Sequence, residues 1–289
     1  MINNPQGYIM YLSAQKLQWN HVKSLYTSIL LLICFSSSAS ELELLTEDFP
    51  PYNFIDQDKI VGINTDILSS TCNIADIKCK FRLMPWNRAY KAAYSTRNKG
   101  IFSTSRTAER ENSFFWVGPL VSSNACFYRL RDRIDIVAST ADSLKKFTVG
   151  IPRGDIYESV LQKMGFQEEK NYLTYSKKHD DTKMFKHRKL DLIIGSSLTL
   201  ASQLSAVGLK PEDVVPVFEL DDESLVGNYL ALSKETPSVM VTKLQNALDL
   251  LKINGEIESI VTRYAGMTEI SGDPLPIHLE RCVNGKANY

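Results

Sequence analysis

Hydrophobic and polar positions along this chain do not keep a single period. Short β-rich runs alternate with stretches whose apolar residues recur at three and four, the pattern of α/β architecture. The runs predict strands over 41–46, 79–83, 99–103, 147–151, 190–194 and 214–218. Between them lie predicted helices over 64–72, 86–96 and 156–164, and in the second of these Trp86, Ala89, Tyr90 and Ala93 fall on one buried face. A proline-containing loop over 47–52 and a turn over 152–155 each follow a strand, and Gly195 ends another. The amides opening the 156–164 helix are expected to point at whatever sits above the strand ends. The last third is helical. Thr236 reads as a cap and Pro237 as a first-turn proline, after which Val241, Leu244, Leu248 and Leu251 form the stripe that Asn254 and Gly255 stop. A shorter helix over 257–264 closes at Gly266, and 271–289, with Pro274 and Pro276, reads as an extended appendage.

At 289 residues and 44% hydrophobic content the chain has room for one large or two ordinary domains with a real core. Lys plus Arg total 33 and Asp plus Glu 33, so no global field steers the protein onto nucleic acid or an anionic membrane. A small neutral or zwitterionic partner stays open. Lys16, His21 and Lys23 precede an acid-free apolar run over 25–35 and a small-residue stretch over 36–40, which together read as a signal peptide cut near Ala39 or Ser40. Eleven apolar residues fall short of the about 20 that a spanning helix needs. An uncleaved anchor is the alternative. Met10 is a second candidate start, and Ile33 before Cys34 argues against a lipid anchor.

Export into an oxidising compartment makes Cys72 and Cys79 candidates for a local bridge, while Cys34 leaves with the signal and Cys126 and Cys282 stay unassigned. No CxxC pair occurs, and His179 and His187, eight apart in a Lys- and Asp-rich stretch, read as solvated surface, so no metal and no cofactor is expected.

Four segments, in order, carry a resemblance. They are Asp48-Phe49-Pro50-Pro51-Tyr52-Asn53-Phe54 with Val61-Gly62-Ile63-Asn64-Thr65-Asp66-Ile67; Gly100 through Arg110, leading by an aromatic-rich strand to Gly118-Pro119-Leu120; Gly150-Ile151-Pro152-Arg153-Gly154; and Ala231-Leu232-Ser233-Lys234. Over about 41–266 the chain resembles the periplasmic substrate-binding proteins of the polar amino-acid ABC-transporter type, bacterial solute-binding protein family 3. The resemblance implies the type II periplasmic-binding-protein fold, two α/β lobes joined by two crossover hinge strands with the ligand cleft between them. Its crossings would fall near 119–124 and 225–229. Residues 1–40 would then be the signal peptide, 41–120 plus 229–289 lobe one, and 121–228 lobe two. Cys72 and Cys79, joining a helix end to the next strand, match a bridge in some family members.

The same resemblance assigns roles. Arg110, in a Thr-x-x-Arg pattern with Thr107, would grip a ligand carboxylate, which suits a planar guanidinium donating two charge-assisted hydrogen bonds. Ser105 would assist it and Ser103 would meet the ligand ammonium, and two residues alternating along a strand end share one side. From lobe two, the turn Arg153 to Ile156, including Asp155, would add helix-start amides for a carboxylate. Phe49 and Trp86 match the positions that sandwich a ligand side chain, with Tyr52 beside them and Arg88 in reach of the same pocket. One departure stands out. The position that usually supplies an acid for the ligand ammonium is Ser196 here. A buried ammonium without a carboxylate is costly, so either Glu47, Asp48 or Asp155 substitutes, or the ligand differs at its amino end and common amino acids bind weakly.

The resulting expectation is a periplasmic, monomeric, non-catalytic binding protein that captures a small polar carboxylate-bearing molecule for an ABC-transporter permease or a sensor kinase. The alternative is a cyclohexadienyl-dehydratase-like enzyme on the same fold, using a cleft carboxylate as general acid. A module of a larger receptor is disfavoured, because the chain ends soon after Gly266.

Overall fold

The computed structural model describes residues 41–122, 124–177 and 179–266. The expected signal peptide, Cys34, Cys282 and the proline-containing tail lie outside the described residues. The first series of elements runs β1 (Leu42–Thr46), β2 (Phe54–Asp56), β3 (Lys59–Val61), α1 (Ile63–Ala75), β4 (Cys79–Leu83), α2 (Trp86–Ser95), β5 (Lys99–Thr104), α3 (Ala108–Glu111) and β6 (Phe114–Val121). A second series follows: β7 (Ala125–Leu130), α4 (Ala141–Leu144), β8 (Val149–Pro152), α5 (Ile156–Lys163), β9 (Tyr172–Tyr175), α6 (Asp180–Lys186), β10 (Leu192–Ser196), α7 (Leu200–Ser205) and β11 (Val214–Leu220). The chain then returns through β12 (Asn228–Ser233) to α8 (Ser238–Ile253) and α9 (Glu256–Gly266).

Apart from the β2-β3 hairpin, these strands form two five-stranded sheets of the same topology. One has the order β4-β1-β5-β12-β6 and the other, read from its far edge, β9-β8-β10-β7-β11. In each, three adjacent strands pair in parallel, as βαβ crossovers require, and the strand by which the chain enters from the other sheet lies antiparallel between them and the fifth. The chain leaves the first sheet after Val121, enters the second at Ala125, and comes back between Leu220 and Asn228.

Each sheet is buried on both faces. Period-two alternation in β1 sends Leu42 and Leu44 to one side, against Ile67 and Leu68 of α1 and Leu244 and Leu248 of α8. Leu45 faces the other side with Ile101, Phe114 and the Ala89 and Ala93 stripe of α2. In the second sheet Val149, Leu192 and Ile194 pack on Val160 and Leu161 of α5, while Cys126, Tyr128 and Ile193 pack on Phe185 of α6 and Leu204 of α7. Burying such side chains contributes roughly 1.5 to 3 kcal/mol each, which makes these faces the main source of stability.

Two local expectations change. Thr236 does not cap the last long helix. Its amide donates to the Ser233 carbonyl in a turn one residue too early, its hydroxyl is buried without a partner, and Pro237 takes the cap position. His179 is not plain surface: it caps α6 in a left-handed conformation and borders a small cavity.

Cys72, in the last turns of α1, is disulfide-bonded to Cys79, the first residue of β4. Cys126, fully buried in β7, is also disulfide-bonded. The Cys72–Cys79 bridge closes a short loop, so replacing both residues by alanine is expected to cost about 2 kcal/mol in denaturant titration. Peptide mapping without reductant should recover the two linked; free thiols there in exported protein would refute the pairing.

Candidate functional site

Parallel strands present their carboxyl ends to ligands in open α/β sheets, and here those ends meet at one cavity of about 300 Å³. Glu47 follows β1, Ser103 and Ser105 close β5, Arg153 to Tyr157 follow β8, Tyr175 ends β9 and Ser196 ends β10, and all of them line it. Gly227 and Asn228, where the chain returns to the first sheet, complete the wall. This volume is at the lower end for small-molecule sites.

Two arginines of one loop are treated in opposite ways. Arg106 is neutralised by Glu111, with Nε and Nη2 donating to its two carboxylate oxygens at 2.7 and 2.5 Å, and it lies over Trp116 and Tyr229. Arg110 has no ion pair among the described residues, and its single protein hydrogen bond is a long one, Nη1 to the Ser105 carbonyl at 3.4 Å. Its guanidinium sits 5.8 Å from the Trp86 ring and 5.5 Å from that of Tyr90. Those rings are neighbours because they are four apart on α2. The aromatic faces fix the position of the cation and leave its donors to the cavity, which is the form a carboxylate anchor takes.

Phe49, Tyr52, Trp86, Ser103, Ser105, Asp155, Ile156 and Ser196 also line the cavity, as does Glu47. Asp48 does not, nor does Arg88, which is exposed. The reason for Arg88 is helical geometry, since two residues beyond Trp86 on α2 is about 200° around the axis. Phe49 and Tyr52 pack ring to ring at 5.2 Å in a loop closed by the Tyr52 amide donating to the Phe49 carbonyl. That loop docks on α1, whose Asn64 amide donates to the Tyr52 carbonyl at 2.9 Å. Gly62 allows it: at φ +127 a Cβ there would stand 2.5 Å from the same carbonyl oxygen. Ser103 departs from strand alternation with a left-handed φ of +59. Its hydroxyl donates to Asn53 Oδ1 and accepts from Asn64 Nδ2 at 2.8 Å, so it belongs to the loop's scaffold.

The opposite wall is acidic where helix-start amides were expected to serve a ligand. Asp155 caps α5 itself, its Oδ1 accepting from the Tyr157 amide at 3.1 Å, and Glu158 Oε2 takes the Gly154 amide at 3.1 Å. Ser196 and Thr199 close a reciprocal loop: each side-chain oxygen accepts from the other's amide at 3.2 Å, and the two hydroxyls lie 2.9 Å apart. Burial pushes the Asp155 carboxyl up to about 6, with the charge of Asp181 adding to the rise and the Tyr157 and Ile156 amides and Arg110 opposing it. Past Asp155 the cavity adjoins a smaller one of about 80 Å³ bordered by Asp181, Thr199, Gln203 and His179. Tyr157, Tyr175 and Thr199 are cavity residues that sequence reasoning did not reach; each sits at a strand end or a helix start, the only signal that marked them.

The profile of the bacterial extracellular solute-binding proteins, family 3, matches residues 44–267. A protein described as a probable amino-acid-binding protein, YxeM of Bacillus subtilis (strain 168), is 19% identical over 218 residues, covering 74% of this chain and 79% of its own. Among solved structures, a histidine kinase sensor domain with similarity to periplasmic binding proteins superposes with a TM-score of 0.66 at 20% identity, over 78% of this chain and 96% of that one. An ancestral arginine-binding protein bound to arginine gives a TM-score of 0.62 at 19% identity, over 78% and 97% respectively. The shared fold is the type II periplasmic-binding-protein fold.

The raised Asp155 pKa has a direct consequence for stability. An unfolded aspartate titrates near 4, so between about pH 4 and 6 the folded protein holds a proton that the unfolded chain has lost. Ionising Asp155 therefore costs stability as pH rises through that window. Asp155→Asn keeps a capping side chain without the charge, and its stability relative to wild type should climb from pH 4 to 6.5 in denaturant titrations. A difference independent of pH would remove the shift.

Proposed function

The chain belongs to the bacterial extracellular solute-binding proteins, family 3, and from that premise we propose that it captures a small carboxylate-bearing molecule in the 300 Å³ cavity by closing two lobes around it. The observation that carries this reading is Arg110, held on Trp86 and Tyr90 with no carboxylate of its own among the described residues. Lobe one comprises 41–120 with the described part of 229–289, and lobe two 121–228. Their hinge is the pair of crossing segments, which run side by side: a Cβ on Gly227 would meet Pro119 Cβ at 3.0 Å and the Val121 carbonyl at 3.1 Å. Rotation there brings the β1 and β5 ends against the β8 and β10 ends. Leu198, just past β10, is buried in the core cluster of the first sheet.

Export by a cleaved signal peptide places the protein in the periplasm, where as a monomer it delivers its ligand to an ABC-transporter permease or presents it to a sensor kinase. The amino-acid-binding relative and the arginine-binding structure support an amino acid or a related compound as ligand. A second reading has one observation in its favour: a carboxyl raised to about 6 in the cavity, Asp155, suits a general acid. Recovery of the bound compound unchanged after long incubation separates binding from turnover.

A thermal-shift screen of amino acids, amines and organic acids should give a saturable rise in melting temperature for some compound. By calorimetry, Arg110→Ala should then weaken that compound by roughly 3 to 5 kcal/mol, the loss of a paired charged hydrogen-bond donor. Unchanged affinity would take Arg110 out of the site.

A further inference from the structure

Resting on that reading of the cleft, we infer that Asp155 is its specificity-determining acid: it seats a protonated amino or guanidino group of the ligand in the place where Ser196 offers none. The ligand is accordingly a carboxylate-bearing organic cation, held by Arg110 on one wall and Asp155 on the other.

Three features of the cavity carry this. First, the neutral alternative is occupied. Ser196 and Thr199 satisfy each other's amides and hydroxyls in a closed loop, so neither brings a charge to the ligand. Second, the anion-binding device that a helix start would offer is spent. Asp155 itself takes the Tyr157 amide and Glu158 the Gly154 amide, so what the opening turn of α5 shows to the cavity is a carboxylate. With Oδ1 on the Tyr157 amide, Oδ2 is the oxygen left for a ligand. Third, no cation among the described residues is bonded to Asp155: the one opposite charge that acts on it is Arg110 across the cavity, the smallest of the influences on its carboxyl. Among the described residues it forms no ion pair, and Asp181, 3% exposed, stands at the back of the adjoining small cavity with no Lys or Arg on that cavity's wall. The other charged or titratable groups facing this region are Glu47, Arg110, Arg153, Tyr52 and Tyr175 in the main cavity, Tyr157 on both, and His179 toward the small one. A second carboxylate entering from the ligand would face this acidic wall. An ammonium or guanidinium replaces the water that an ionised carboxylate loses on closure.

The test compares, on the purified full chain, the standard amino acids, glutarate (two carboxylates, no amine) and putrescine (two amines, no carboxylate). At least one amino carboxylate should bind saturably, with glutarate and putrescine weaker by roughly a hundredfold or more. Asp155→Asn, which keeps the helix-capping acceptor, should lose about a hundredfold for that amino carboxylate and no longer discriminate against glutarate. Asp155→Ser, another capping residue, should do the same. Affinity unchanged by both Asp155 variants but lost in Arg110→Ala overturns the role of Asp155 and leaves the cleft reading standing. Affinity unchanged by all three removes the cleft reading too. Preference for glutarate, or no response to any amino carboxylate, also overturns the inference.

Discussion

The cleft is arranged around one uncommitted guanidinium. A cation that must hold a ligand carboxylate cannot already be paired, yet a long unpaired arginine side chain is costly to hold in one place. The loop after β5 solves this with two arginines four residues apart. Glu111 engages Arg106 through both oxygens, which anchors the loop over Trp116 and Tyr229. Arg110 is then fixed by ring faces, which attract a cation by roughly 0.5 to 2 kcal/mol without using its N–H donors. An acid in place of either ring would silence the site by satisfying it. The aromatic content of α2 therefore has a function beyond the core.

The same economy is visible in the frame that brings the walls together. Both sheets use one topology, and in each the antiparallel strand is the one by which the chain enters from the other sheet, β12 in the first and β7 in the second. The chain thus passes twice between the sheets, and the passes lie next to each other because β6 and β12 pair up to Val121 and Asn228. Two adjacent crossings constrain the relative motion of the sheets to bending about that line. Carboxyl strand ends on either side can then approach each other without sliding out of register.

Much of this was legible in the chain. The three-four stripes of α2 and α8 and the β-rich runs of β1, β4 and β5 are strong because each element buries one defined face, and their observed bounds fall within a residue or three of expectation. Elements with less contrast escaped. β7, read Ala-Cys-Phe-Tyr-Arg-Leu, is buried on both faces and shows no alternation, and α6, at seven residues, is too short to display a stripe. Among the expected cavity residues, Ser103, Ser105 and Ser196 came from the family resemblance, and the βα pattern explains why strand ends carry them to the cavity. Arg88 failed because proximity in sequence says nothing about azimuth on a helix. Ser103 was expected to present its hydroxyl to a ligand, but a left-handed φ and the Asn53 and Asn64 side chains turn it into scaffold. No sequence pattern reports a positive φ at a serine.

Asp155 shows why the chemistry of the second wall could not be read from types and spacing alone. Asp is among the preferred N-cap residues, so its presence before α5 has a sufficient folding explanation. A cap on an exposed helix would leave its spare oxygen in water. Here the helix begins at the end of β8, and the topology delivers that end to the cavity, so the capping carboxylate lines the cavity as well. Folding requirements select the residue type and the fold chooses its surroundings. Only the two together set a helix cap's carboxylate on the wall of the cavity that Arg110 and Ser196 also line.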